Sequence, residues 1–211
     1  MVKSTSFAKR GPRGPYRLDR RADRMTETRL RIIQAAVKLH AQVGPLATTV
    51  AAIAERAGVG RPTVYAHFPD EQTLFAACTE HYFGLHPPPD AAAWIREPDP
   101  HRRLVAGLNE LYGYWADIEP MASAVLRDHR AAPARVGQGF VDFMAGCRDT
   151  LAEGWPVRDA ERRRVRAAIG HAVRFETWRS LVGDEQLSRG EAVSVVVGMV
   201  IATAGGAPPT R

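Results

Sequence analysis

Arg61, Thr63, Tyr65 and His67 lie close together in the stretch TVAAIAERAGVGRPTVYAHF, residues 49–68, and all can donate hydrogen bonds. A guanidinium can bond both acceptors on a guanine edge, and hydroxyl, phenol and imidazole groups suit phosphate oxygens. That combination is the chemistry of nucleic-acid recognition, with Arg61 the candidate for reading a base. Catalysis has no comparable constellation. The serines lack a nucleophile-elbow pattern, Cys147 has no identifiable histidine partner, and no HExxH or paired CxxC occurs. No catalytic residue, cofactor or metal ligand is assigned. A metal site assembled in three dimensions from scattered histidines is the alternative, separable by assays for bound metal and turnover.

Donors at this spacing work only if short, well-stopped elements present them. Thr49 can cap a helix through its hydroxyl, Val50, Ile53, Ala54 and Ala57 repeat at helical spacing, and Gly58 ends the pattern. After the turn Gly58-Val59-Gly60, a short helix runs from Arg61 or Pro62 to Phe68, with Pro62 in the first turn and Val64 and Phe68 facing inward. Two short helices joined by a tight glycine turn form a helix-turn-helix, whose second helix fits the major groove. Upstream, Ile32, Ala36, Leu39 and Val43 mark one stripe of a helix starting near Thr26 and stopped by Gly44-Pro45. Downstream, Asp70 can cap a fourth helix with Leu74, Cys78 and Tyr82 buried, ending near Leu85.

The run IAERAGVGRPTVYAHFPDEQTLF, preceded by RIIQAAVKLHAQVG and Thr49, closely resembles the DNA-binding domain of the tetracycline repressor (TetR) family over roughly residues 28–83. The resemblance implies that Thr49, Thr63, Tyr65 and His67 touch phosphates, and that Arg61, Pro62 and Ala66 face base edges. Two positions depart from the family pattern. Glu71 stands where a lysine is common, which removes one phosphate contact, and His40 stands where an aromatic is usual and is read as packing.

The net charge of the 211-residue chain is +6, and residues 1–24 alone carry that excess: eight lysines and arginines against Asp19 and Asp23. With Gly11, Pro12, Gly14 and Pro15 and no apolar periodicity before Leu30, residues 1–25 read as a basic flexible arm. Arg20, Arg21 and Arg24 are its candidate DNA contacts, in an adjacent minor groove; a solubilising tail is the competing reading. No signal core or bilayer-length apolar run occurs, so a cytoplasmic location is expected. Cys78 and Cys147 have no paired spacing and are expected to be buried, reduced thiols.

The proline run Pro87-Pro88-Pro89 and the stretch to Pro100 interrupt the chain, which predicts a DNA-binding domain at 26–86 and a second helical domain at 87–211. There the patterns predict helices over His101 to Ile118, Met121 to Arg130, Arg135 to Gly154, Asp159 to Val182 and Ser188 to Ala204, and no strand, giving an all-α fold. The last of these is apolar nearly all round, through Val193, Val195, Val196, Val197, Met199, Val200 and Ile201. With its predecessor it suits a four-helix interface with a second copy, an intramolecular core being the alternative. Tyr112, Tyr114, Trp115, Met121, Phe140, Phe143 and Met144 concentrate on neighbouring helices, where an apolar cavity or ordinary core could form. The resemblance favours an effector site; its candidates are Tyr112, Trp115, Met121, Phe140, Phe143, Met144, Cys147, His171, Phe175 and Trp178. The expectation is a homodimeric regulator that binds a palindromic double-stranded operator and is released by a small, largely apolar ligand. An activator, or a helical ligand-binding or interaction protein without specific DNA binding, is the alternative.

Overall fold

The computed structural model describes residues 15–132 and 136–205. Helices and turns account for all the regular structure among them, with no strand. The order is α1 (Pro15–Val43), α2 (Val50–Ala57), α3 (Arg61–His67), α4 (Glu71–Leu85), a single 3-10 helix (Ala91–Arg96), α5 (Pro100–Ala131), α6 (Gln138–Leu151), α7 (Asp159–Ala172), α8 (Phe175–Arg179), a π-type turn (Ser180–Asp184) and α9 (Arg189–Thr203). The helices divide between two compact units. One takes the described residues up to Ala36 together with Thr49–Cys78, and the other takes Val37–Thr48 and the described residues from Thr79 on. These limits fall inside α1 and α4, whereas the sequence placed the change at the proline run 87–89.

The smaller unit is built on the stripe Ile32, Ile33, Ala35 and Ala36 of α1, which is buried along with Ile53, Ala54 and Ala57 of α2, Val64 and Phe68 of α3, and Leu74, Ala77 and Cys78 of α4. α1 begins at Pro15, so Arg17, Arg20, Arg21 and Arg24 lie on a helix and not on an irregular arm. Pro is well suited to a first helical position, and from Tyr16 to Thr26 the chain has no Gly or Pro to stop a helix rich in Arg, Leu, Ala and Met. Residues 1–14 of the expected arm lie outside the described residues.

The larger unit centres on α5, whose Leu104, Leu108, Leu111, Tyr112, Trp115, Ile118 and Ala122 are fully enclosed. The helix runs through Pro120 without a break, where two helices were expected. Proline inside a helix forfeits a hydrogen bond and costs about 3 kcal/mol. Pro120 is exposed while its neighbours Ile118, Met121 and Ala122 are buried, so continuous packing of one face offsets that cost. The opposite error occurs at Val173-Arg174, where an expected continuous helix breaks into α7 and α8. Side chains from elsewhere take up the freed carbonyls: the Tyr112 hydroxyl donates to Ala172 O at 2.9 Å, Trp115 Nε1 to Val173 O at 3.3 Å, and Thr177 Oγ1 to His171 O at 2.7 Å. Satisfied carbonyls let a helix stop without glycine or proline. α6 is shorter than expected, starting after Gly137 in the left-handed region (φ +83°).

The end of α1 and the loop after it belong to this larger unit. Leu46 N–H donates to Asp128 Oδ2 at 2.9 Å, and Arg127 Nη2 to Val43 O at 2.9 Å. Gly44, at φ +94°, passes so close to the Arg127 guanidinium and Asp128 carboxylate that a Cβ there would collide with both. His40 is buried beside them, and desolvation lowers its pKa to about 4 against the opposing pull of Asp128. Its burial agrees with its reading as a packing residue at a position where an aromatic is usual. No helix among the described residues is long and apolar enough to cross a membrane.

Candidate functional site

Local chemistry fixes the hairpin of α2 and α3. The Thr49 hydroxyl accepts from Ala52 N–H at 3.2 Å, so the residue caps α2 from an extended conformation. At the other end Gly58 adopts φ +65°, its N–H bonds to Glu55 O at 3.1 Å, and Val59 N–H reaches back to Ala54 O at 3.0 Å. Such a left-handed cap satisfies the last carbonyls and turns the chain sharply, at a backbone angle that favours glycine. Pro62 sits in the first turn of α3, and Phe68 N–H closes its end on Val64 O at 2.9 Å.

Val64 and Phe68 anchor α3 at 1% and 2% exposure, which leaves its remaining side chains to point away from the core. Arg61, Pro62, Tyr65 and Ala66 are exposed, with Thr63 and His67 half-buried at the flank. Positions 61, 62, 65 and 66 share one helical face. An aromatic ring 53% exposed on a seven-residue helix, Tyr65, has apolar surface that this chain does not use. The structure therefore brings together six of the candidate contacts, Arg61 to His67 without Val64, on a single short helix, with Thr49 at the head of α2. Arg20, Arg21 and Arg24 lie apart from them in sequence, on the first turns of α1.

Arg29 was missed by the sequence reading. Its guanidinium lies 4.2 Å from the centre of the Phe68 ring and reaches the His67 carbonyl at 3.5 Å, so a cation from α1 sits at the C-terminal end of α3. A positive charge there complements the helix dipole and holds the ring that anchors α3. Its one available signal was its place three and four residues before Ile32 and Ile33. Glu71 opens α4 as an acid in the first turn, where the same dipole favours it. Just before it, Asp70 Oδ1 accepts from Thr73 N–H at 2.7 Å, and that backbone hydrogen bond holds the carboxyl below its ordinary pKa. Cys78 is buried with its thiol pushed up to about 12 by desolvation, the nearby Arg29 opposing, and is an inert core residue.

In the larger unit, five of the ten effector candidates form one aromatic cluster. Trp115 is 5.6 Å from Phe175, 6.2 Å from Phe143 and 6.3 Å from Phe140, and Phe175 is 5.3 Å from Trp178. Tyr112 and Trp115 have committed their polar atoms to the α7–α8 break. Cys147 and Met121 are buried, Met144 is half-buried, and burial raises the Cys147 thiol to about 12. His171 is exposed on the last turn of α7, 3.4 Å from Thr177 Oγ1 and outside the ring cluster. No group of three or more potential metal ligands lies together among the described residues.

Comparison with known proteins places this geometry. Residues 32–78 match the family model of bacterial regulatory proteins, tetR family. An HTH-type transcriptional regulator of Bacillus subtilis (strain 168), YerO, is 34% identical over 61 residues, which is 29% of this chain and 21% of that protein, so the match spans about a fifth of the relative's length. A TetR-like transcriptional regulator from Rhodococcus sp. RHA1 superposes with TM-score 0.59 at 18% identity, over 85% of this chain and 97% of the other. The transcriptional regulator FadR from Bacillus subtilis, solved in complex with stearoyl-CoA, gives 0.58 at 18% identity over 82% and 98%. At such identities the structural likeness is one of fold, while the matched segment contains the whole of α2, the turn and α3. Residues 32–78 are thus similar to bacterial regulatory proteins of the tetR family, and the all-helical fold, an N-terminal helix-turn-helix followed by a helical C-terminal part, is like that of the TetR-like regulators.

Proposed function

We propose that the chain is a sequence-specific transcriptional regulator that binds a palindromic operator as a homodimer and leaves it when a small, largely apolar ligand occupies the larger unit. The observation that carries this is the exposed face Arg61, Pro62, Tyr65 and Ala66 on a short helix opened by Pro62, closed at Phe68 and anchored by Val64 and Phe68. Arg61 reads a base edge, Thr63, Tyr65 and His67 with Thr49 hold phosphates, and Arg20, Arg21 and Arg24 add backbone contacts beyond them. Repression is the family's habit and sets the expected sign of regulation.

Dimerisation is supported by α9. Val196 and Val200, at 2% and 1% exposure, are buried within their own chain, so the interface falls to the outward residues Val195 at 37% and Met199 at 57%. Spaced four apart, these two apolar side chains lie on one helical face that water is left to cover. Release by a ligand is supported by the aromatic cluster around Trp115, and by a regulator of like fold having been solved with stearoyl-CoA. Two recognition helices must meet successive major grooves roughly 34–36 Å apart, so a ligand that alters their separation weakens binding without touching DNA.

Genomic fragments retained by the purified protein give the operator. Recovery of one palindromic sequence is expected, and retention without any shared sequence overturns specific recognition. A ligand found by thermal shift must then bind more weakly in the presence of operator, by the same factor by which it weakens DNA binding. Equal ligand affinity with and without operator contradicts release.

A further inference from the structure

Two buried side-chain polar atoms among the described residues have no hydrogen-bond partner: Arg103 Nε and the Tyr114 hydroxyl. They are not equivalent. The Arg103 guanidinium already donates from Nη1 to Glu97 O at 2.9 Å and from Nη2 to Glu153 O, so it ties the end of the 3-10 helix to the end of α6. Tyr114 has one polar atom on its side chain, and that atom is unused in a residue only 6% exposed. A buried hydroxyl without a partner is rare enough in a folded protein to require a reason. The adjacent Trp115 and Tyr112 show the contrast, since both have their polar atoms engaged.

The surroundings of that hydroxyl define what it would accept. The Tyr114 ring lies 5.6 Å from Trp115 on α5 and 5.9 Å edge-on from Phe143 on α6. The titratable groups that bear on it are the Tyr82 phenol at the end of α4 and the Cys147 thiol on α6. Burial raises each of those to about 12, so both are neutral at physiological pH. Among the described residues, burial, Tyr82 and Cys147 are what raise the Tyr114 phenol, and no cation or carboxylate adds to them. Phe143, whose ring meets Tyr114, and Tyr82 are half-buried, and Phe83 of α4 meets Phe140 of α6 at 5.8 Å, so the aromatic groups around Tyr114 are within reach of solvent.

We propose that the Tyr114 hydroxyl is the polar anchor of the effector, donating a hydrogen bond to the oxygen of an uncharged, largely aromatic or aliphatic molecule bearing a carbonyl group, held between α5, α6 and the end of α4. The proposal rests on the reading of the larger unit as the effector-binding part, and adds to it the ligand's class and the one atom that orients it. An anionic ligand is disfavoured because a buried charge requires a paired counter-charge, and a single phenol does not provide one. A neutral acceptor removes the unpaired hydroxyl and keeps the aromatic contacts.

The test uses the full chain and the fluorescent aryl ketone propionyl-dimethylaminonaphthalene, whose emission reports hydrogen bonding at its carbonyl. Wild type is expected to bind it, and Tyr114→Phe to bind it about tenfold more weakly, roughly 1.4 kcal/mol, with blue-shifted emission. The same naphthalene without its ketone should bind both proteins equally, and its carboxylate analogue should bind wild type at least about tenfold more weakly than the ketone does. Tyr114→Phe should melt no lower than wild type without ligand, since it removes a group that has no partner. Equal ketone affinity in the two proteins overturns the anchor, as does absence of binding to wild type or a lowered melting temperature of the variant. Failure of the underlying effector reading shows differently, as ketone binding that is indifferent to operator DNA while still sensitive to Tyr114→Phe.

Discussion

The α2–α3 hairpin and the Trp115 cluster are both aromatic-anchored helical assemblies, yet they are specified in opposite ways. The hairpin is set by neighbours in sequence: the Thr49 cap is three residues from its donor, Gly58 bonds within its own helix, and Phe68 closes on Val64 four residues back. The cluster is set by residues far apart, with Trp115 meeting Phe175 and bonding Val173 O across 58 positions. A recognition surface that must keep one shape gains from local specification. An interior that is to admit a ligand gains from contacts that can be rearranged without unwinding a helix.

That contrast predicts a graded set of responses. The largest follows Trp115→Ala, which removes a fully buried indole and leaves Tyr114, Phe140, Phe143, Phe175 and the Val173 carbonyl without it. A loss of about 3–5 kcal/mol is expected in denaturant unfolding. A loss below about 1 kcal/mol would show that the cluster is already loosely packed.

A smaller effect comes from the joint formed by the end of α1 and Asp128. His40 titrates near 4 when folded and near 6.5 when unfolded, so the unfolded chain binds the proton first as pH falls. Stability is therefore lost between pH 6.5 and about 4, by roughly 3 kcal/mol at most, and the loss saturates below the folded value. His40→Phe should flatten this part of the stability profile relative to wild type. Superimposable profiles would place the proton-sensitive group elsewhere.

The smallest effect tests the local side of the contrast. Gly58→Ala meets no atom within 4 Å, so its cost is backbone strain at φ +65° alone. A loss of about 1 kcal/mol is expected. A loss as large as that of Trp115→Ala would mean the turn is tied to distant packing after all.

The same difference explains what could be read from residues alone. Caps and breakers announce α2, α3 and α4, because Thr49, Gly58, Pro62 and Asp70 act on backbone groups a few positions away, and Ser188 announces α9 likewise through its reciprocal pairing with Glu191. Pro120 misled because its cost is local and its compensation, the buried face of α5, is not. The break at Val173-Arg174 left no mark, since the groups that satisfy its carbonyls lie on another helix. The exposed residues of α3 could be named from the sequence as candidate DNA contacts, whereas Arg29 behind them and the unpaired Tyr114 hydroxyl became visible only when distant elements were brought together. For α9 the pattern showed that the helix is apolar on every side, and the structure assigns Val196 and Val200 inward and Val195 and Met199 outward.

Selection from random DNA with wild type, Arg61→Ala and Tyr65→Phe tests the central claim most directly, because it separates reading a base from holding the backbone. Arg61→Ala should relax preference at one position of each half-site by about 1–3 kcal/mol, while Tyr65→Phe should weaken all sequences alike and leave the preferred site unchanged. If Arg61→Ala selects the wild-type sequence with undiminished preference at every position, the face of α3 carrying Arg61 does not read DNA, and the account of this helix is wrong.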